Sequence, residues 1–129
     1  MEMRDSEGNC IDVYGPNPAV KLTYTDDGWM FTILEHTDGR PNVECGDLAG
    51  GTDKEKIALC KEFASYCSKV EIKSDNEVIH HVEHSFFPNW AGAQQLRYYS
   101  FDGNKLLLST PPFLVYGKEQ QVYLVWEKV

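Results

Sequence analysis

Short turn signals set between β-rich runs constrain this chain more than any other feature of its sequence. In AVKLTYTDDGWMFTILEH, two such runs flank Asp26-Asp27-Gly28, a hairpin signal because Asp and Gly tolerate the positive φ of a tight turn. Val20, Leu22 and Tyr24 alternate with Lys21, Thr23 and Thr25, so one face of that run is dry and the other wet. YCSKVEIKSDNEVIHHVEHSFF repeats the arrangement about Ser74-Asp75-Asn76, and AQQLRYYSFDGNKLLLST repeats it about Asp102-Gly103-Asn104. Pro111-Pro112 breaks the next run and QQVYLVWEKV closes the chain. With a short run at CIDVY the count is about eight strands. Successive hairpins give an antiparallel meander. Closing it removes the exposed edges, so the expected fold is all-β, an up-and-down barrel, with a β-sandwich as the alternative that spacing leaves open.

One helix is expected, inserted after the third strand. From Thr37 to Gly51 the chain is loop-like, broken by Gly39, Pro41, Gly46 and Gly50-Gly51. In TDKEKIALCKEFA, Thr52 or Asp53 supplies a cap, and Ile57, Leu59, Cys60, Phe63 and Ala64 recur near helical spacing.

Composition excludes several functions. A chain of 129 residues with 42% apolar and 25% charged residues suits one globular domain over residues 1–129. A formal charge of −8 without a basic cluster argues against a phosphate-binding surface, so neither nucleic acid nor an anionic membrane is an expected partner. MEMRDSEGNC contains no apolar core of signal-peptide length. Cys10, Cys45, Cys60 and Cys67 are irregularly spaced, which fits buried thiols in a reducing, cytoplasmic compartment better than disulfides or structural zinc.

The densest chemistry lies in VIHHVEHSFFPNW, where His80, Glu83 and His84 spell H-x-x-E-H, a helical zinc-site pattern. That site needs a helix, since on a strand four residues span about 13 Å, too far for two imidazoles to share one ion. Val78, Ile79 and Val82 are β-branched, and Pro88 stops helical continuation, so the segment reads as a strand and no metal is expected. Alternation then puts His80 and His84 on the apolar face with Val78, Val82 and Phe86, pointing into the barrel, opposite Ile79, His81, Glu83 and Ser85. A neutral imidazole there serves as a satisfied core group or as a polar anchor in a cavity.

Several quoted segments together resemble the lipocalin-like domain family: His80-His81-Val82-Glu83, Phe87-Pro88-Asn89-Trp90, Gln95-Leu96-Arg97-Tyr98-Tyr99 and Leu108-Ser109-Thr110-Pro111-Pro112, with YGPNPAVKLTYTDDGWM upstream and LVWEKV at the end. The resemblance runs from about Tyr14 to Val129 and implies a small lipocalin-type barrel. It implies binding of apolar or amphipathic small molecules, with isomerase or cyclase activity in some biosynthetic relatives, and it carries over no catalytic residue. Two departures stand out. Members usually open with a G-x-W strand, whereas Met1-Glu2-Met3-Arg4 resembles only its tail end. An incomplete N-terminal strand then leaves an open seam, or an edge that pairs with a second chain as a homodimer. The position of His84 is usually small in the family.

The remaining candidates follow from alternation. Tyr24 shares a face with Val20 and Leu22, Tyr66 with Val70 and Ile72, and Trp126 with Val122 and Leu124; such polar-tipped aromatics commonly line small-molecule sites. Arg97 alternates with Tyr99 and Phe101. Pointing inward, it demands a carboxylate or an anionic ligand, and Glu35, on a face with Trp29, Phe31 and Ile33, is the expected partner. Pointing outward, it would pair with Glu83. The expected ligand-binding set is therefore Tyr24, Phe31, Glu35, Tyr66, Val82, Phe86 and Trp126. The polar set available for chemistry is His80, His84, Arg97 and Tyr99.

Two functions follow. One is a binding protein for a small apolar, aromatic or polyketide-like molecule. The other is a cofactor-free isomerase or cyclase in which His80 or His84 moves a proton while Arg97 and a tyrosine stabilise an oxyanion. No Gly-rich phosphate loop, G-x-S-x-G or C-x-x-C occurs, so no cofactor is expected.

Overall fold

The computed structural model describes residues 2–36, 38, 40–61 and 63–129. Among these residues ten strands form one antiparallel sheet: β1 (Glu2–Asp5), β2 (Cys10–Ile11), β3 (Ala19–Tyr24), β4 (Trp29–Glu35), β5 (Phe63–Ser74), β6 (Glu77–Ser85), β7 (Gln94–Asp102), β8 (Lys105–Ser109), β9 (Phe113–Val115) and β10 (Lys118–Glu127). The sheet order is β2-β1-β10-β8-β7-β6-β5-β4-β3, with β9 also paired to β10. The meander expected from the turn signals is therefore present from β3 to β8. Gly28 and Gly103 sit at φ 83° and 58°, the left-handed conformation that such turns require.

The sheet curls but does not close. β3 and β2 end the hydrogen-bonded order, so the expected closed barrel is corrected to an open one, and a single sheet replaces the alternative of two stacked sheets. Curling is nonetheless strong: Tyr24 of β3 reaches His80 of β6 across the interior, although β4 and β5 lie between them in the sheet. The seam lies between β3 and β10. Glu2 pairs with Tyr123, and among the described residues Leu124 to Glu127 of β10 pair with β8, through the register Leu124–Leu108 to Glu127–Lys105. A groove of about 320 Å³ lined by Pro16, Pro18 and Val20 on one side and by Leu124 and Trp126 on the other marks this gap.

Helix α1 spans Asp53–Cys60, capped by Thr52, whose side chain accepts from the Glu55 amide while the Glu55 carboxylate accepts from the Thr52 amide, a reciprocal box that satisfies two otherwise unpaired donors. The expected helix was longer. Phe63 and Ala64 instead open β5, opposite Glu35 and Leu34, because a full ladder with β4 outweighs a weak helical pattern. No residue of α1 is buried, so the helix makes little core, and Cys60 at its end is its contribution to the lining of the interior. Thr37 and Gly39 of the expected loop, Glu62 of the expected helix, and Met1 lie outside the described residues.

Alternation sorts the strands as a curled sheet demands. Met30, Leu34, Val78, Val82, Leu108 and Val122 are buried inside, and Met3 brings β1 into the same core. The thiols do not follow the expectation of burial: Cys10, Cys45 and Cys60 are exposed, Cys67 is half-buried, and all four are free. No helix is long and apolar enough to cross a membrane among the described residues.

Candidate functional site

β6 places His80 at the centre of the interior, 1% exposed. Its Nε2 lies 3.0 Å from the Tyr24 hydroxyl and its Nδ1 lies 3.1 Å from the Tyr66 hydroxyl. Both ring nitrogens are thus engaged. A neutral imidazole donates from one nitrogen and accepts at the other, so one tyrosine donates to His80 while the other accepts from it. Burial, reinforced by the charge of Arg97, lowers the His80 pKa from 6.5 to about 3. Burial likewise raises Tyr24 and Tyr66, and Arg97 works against the rise at both. The three rings form a neutral, hydrogen-bonded bar across the barrel.

Above the bar, toward α1, opens a chamber of about 670 Å³, within the range that holds small organic ligands. Leu22, Leu34, Leu108, Val122 and Leu124 supply apolar walls, and Thr32, Tyr66, His80 and Arg97 supply polar atoms. Trp90 stands edge-on to Tyr66, with ring centroids 5.8 Å apart. Phe86 packs edge-on against Phe63 at 5.3 Å near the mouth, which Cys60 and Lys61 flank. β9 and its turn add Phe113, Leu114, Val115 and Tyr116 to the lining, with Leu114 74% and Tyr116 80% exposed.

Arg97 points inward and lines this chamber. Its Nη1 donates to the Leu96 carbonyl at 2.9 Å, and its Nη2 donates to the Gln95 side-chain oxygen. The expected partner is not Glu35, whose carboxylate accepts from Arg40 at 2.9 Å on the outside, nor is it the exposed Glu83. Among the described residues Arg97 forms no ion pair. A guanidinium has five donors in a planar fork, and neutral amide oxygens leave its charge uncompensated inside a largely apolar chamber.

Other expectations need correcting. His84 does not share the face of His80. Cys67 pairs with His84 but Ser68 pairs with Val82, so Glu83 is the extra residue of a β-bulge, and a bulge reverses the inside–outside parity beyond it. His84 is exposed and faces an outer groove with Phe31, Ile33 and Cys67. Phe31 is 49% exposed because β4 turns Met30, Thr32 and Leu34 inward and Phe31, Ile33 and Glu35 outward. Tyr99 faces inward but lies nearer the hairpin end, donating to the Ser74 carbonyl at 3.0 Å, away from His80. Val82 is buried core and is not among the residues that line this chamber. Tyr66, Phe86 and Trp126 do line the chamber above the bar, while Tyr24 closes it from below.

Sequence reasoning missed Thr32, Trp90, Tyr14 and the β9 residues. Thr32 was hidden by assigning the wrong face of β4. Trp90 sits in a 3₁₀ turn, Pro88–Trp90, where strand parity says nothing about direction. Among the described residues no group of three or more metal-ligating side chains forms.

The chain matches the lipocalin-like domain family over residues 1–129. It is also 33% identical, over 99 residues, to a 4'-hydroxy-3'-methoxypropiophenone carrier protein of Aspergillus oryzae, a match covering 70% of this chain and 89% of that relative. No solved structure matches the chain significantly. On its sequence and on its curled antiparallel sheet, this protein belongs to the lipocalin-like domain family.

Proposed function

We propose that the protein binds and carries a small aromatic ketone or a related phenolic compound in the chamber above the Tyr24–His80–Tyr66 bar. The observation that carries this reading is Arg97, an inward guanidinium without a carboxylate partner among the described residues, set in an aromatic-lined cavity of about 670 Å³. A carbonyl or phenolate oxygen accepting from Arg97 relieves the uncompensated charge, while Trp90, Tyr66 and Trp126 offer aromatic surface to the ring. The relative of Aspergillus oryzae is named for carrying an aryl ketone that also bears a phenol, a guest with both features.

The geometry favours carriage over catalysis. An isomerase or cyclase acting near neutral pH needs a group that exchanges protons there. His80, lowered to about 3 by burial and by Arg97, stays neutral, and both of its nitrogens are held by tyrosines. Its role is to fix the orientation of Tyr66 at the chamber floor. The free strand edges along the seam support pairing with a second copy of the chain, and light scattering that shows only monomer removes that part of the reading.

Titrating the protein with 4'-hydroxy-3'-methoxypropiophenone while following tryptophan fluorescence tests the carrier reading. Saturable quenching with one equivalent bound, and with no conversion of the ketone in the recovered solution, is the expected result. No saturable binding of this or any related aryl ketone overturns it.

A further inference from the structure

The same barrel holds a second chamber that the carrier reading leaves unused. Below the bar, at the hairpin end, lies a cavity of about 530 Å³ walled by Tyr24, Val70, Ile72, Val78, Tyr99 and Leu106. It is a separate space: Leu108 is the one lining residue common to both cavities, and the hydrogen-bonded Tyr24–His80–Tyr66 bar stands between them.

Its chemistry differs from that of the upper chamber. Among the described residues no lysine, arginine, histidine, aspartate or glutamate lines it. Its hydroxyls are already engaged: Tyr24 with His80, Tyr99 with the Ser74 carbonyl, and Thr25 with the Asp27 carboxylate and the Trp29 amide. A guest therefore meets carbon surface without a free polar anchor, and a charged or strongly polar guest would lose its hydration without compensation. At the open end, Ile72 and Phe101 belong to the inward-facing parity of β5 and β7 yet are 67% and 72% exposed. Inward-facing apolar side chains left open around a concave space are surface that an apolar guest removes from water.

We infer that the lower chamber, framed by Tyr24, Ile72, Tyr99 and Phe101 beneath the tyrosine–histidine bar, is a second binding site for an uncharged, wholly apolar molecule such as a terpene or alkyl chain. The two chambers sort guests by polarity. Arg97 selects for an oxygen-bearing ring above, and a lining without a free polar side chain among the described residues selects against one below.

The test counts bound equivalents of the uncharged fluorophore N-phenyl-1-naphthylamine in the full chain, in Ile72→Asp and in Phe101→Asp. Both positions are exposed, and unchanged circular dichroism with a melting temperature near that of the parent shows that the variants fold. Each carboxylate places a charge at the rim of the lower chamber and away from the upper one. The expected result is one bound equivalent fewer in both variants, with binding of the aryl ketone unchanged. The same number of equivalents in the parent and both variants overturns the inference. So does a parent dimer that either variant converts to monomer in sedimentation, which assigns the apolar rim to a second copy of the chain.

Discussion

His80 and His84 stand four residues apart on β6 and occupy opposite environments. His80 is 1% exposed with both nitrogens bound to tyrosine hydroxyls, whereas His84 lies in the open beside Cys67. The intrinsic chemistry of the two side chains is identical. Position relative to one bulge residue, Glu83, decides which becomes a structural strut of the inner chamber and which a solvated surface group. The lesson extends to the two faces of the sheet: the inner one concentrates Tyr66, Arg97 and Trp126 around a cavity, and the outer one offers a shallow groove with Phe31 and Ile33.

The sharpest way to break this contrast is acid. Because burial and Arg97 hold the folded His80 pKa at about 3 against an ordinary 6.5, the unfolded chain binds a proton below 6.5 that the folded chain refuses. Stability from this group is therefore complete above pH 6.5 and is lost as the pH falls from 6.5 toward 3, by about 1.4 kcal/mol per pH unit and on the order of 5 kcal/mol in all. Urea melts across that range should show the slope, and His80→Gln should remove most of it. His84→Gln should leave it in place.

Arg97→Met comes next. It keeps a side chain of similar length and removes the charged donor, and charged hydrogen bonds are worth about 1.5–3 kcal/mol. Calorimetric titration should show the aryl ketone bound roughly 10- to 100-fold more weakly, with the fold intact by circular dichroism. Tyr66→Phe is a smaller change. It strips His80 Nδ1 of its partner and lowers stability by about 1–2 kcal/mol, read as a fall in the urea midpoint. The outer face should barely respond: Phe31→Ala and His84→Ala are expected within about 0.5 kcal/mol of the parent in stability, with ligand affinity unchanged.

The hairpins were legible in the sequence because turn chemistry is local. Asp26-Asp27-Gly28 and Asp102-Gly103-Asn104 sit at the tips of β3–β4 and β7–β8. Alternation likewise grouped Tyr24, Tyr66 and Trp126 with apolar inner-face neighbours, since each lies on an uninterrupted strand, but it left Arg97 open between inside and outside because neither face of its strand is clearly wet. It failed at His84, because a bulge depends on the register adopted with β5 rather than on β6 alone. It failed on β4 because both of its faces are apolar: Trp29, Phe31 and Ile33 outward, Met30 and Leu34 inward. Where hydrophobicity does not differ between faces, periodicity has nothing to read, and Glu35 was carried inward with its neighbours. Closure was equally illegible, since whether β3 meets β10 depends on the summed curl of the whole sheet.

The central claim is that the guest occupies the inner chamber and not the outer groove. Intermolecular nuclear Overhauser effects from the aromatic protons of bound 4'-hydroxy-3'-methoxypropiophenone test it most directly. The account predicts cross-peaks to Tyr66, Trp90 and Trp126 ring protons and none to His84 or Phe31. Cross-peaks to His84 and Phe31 with silence at Tyr66 and Trp126 would contradict it.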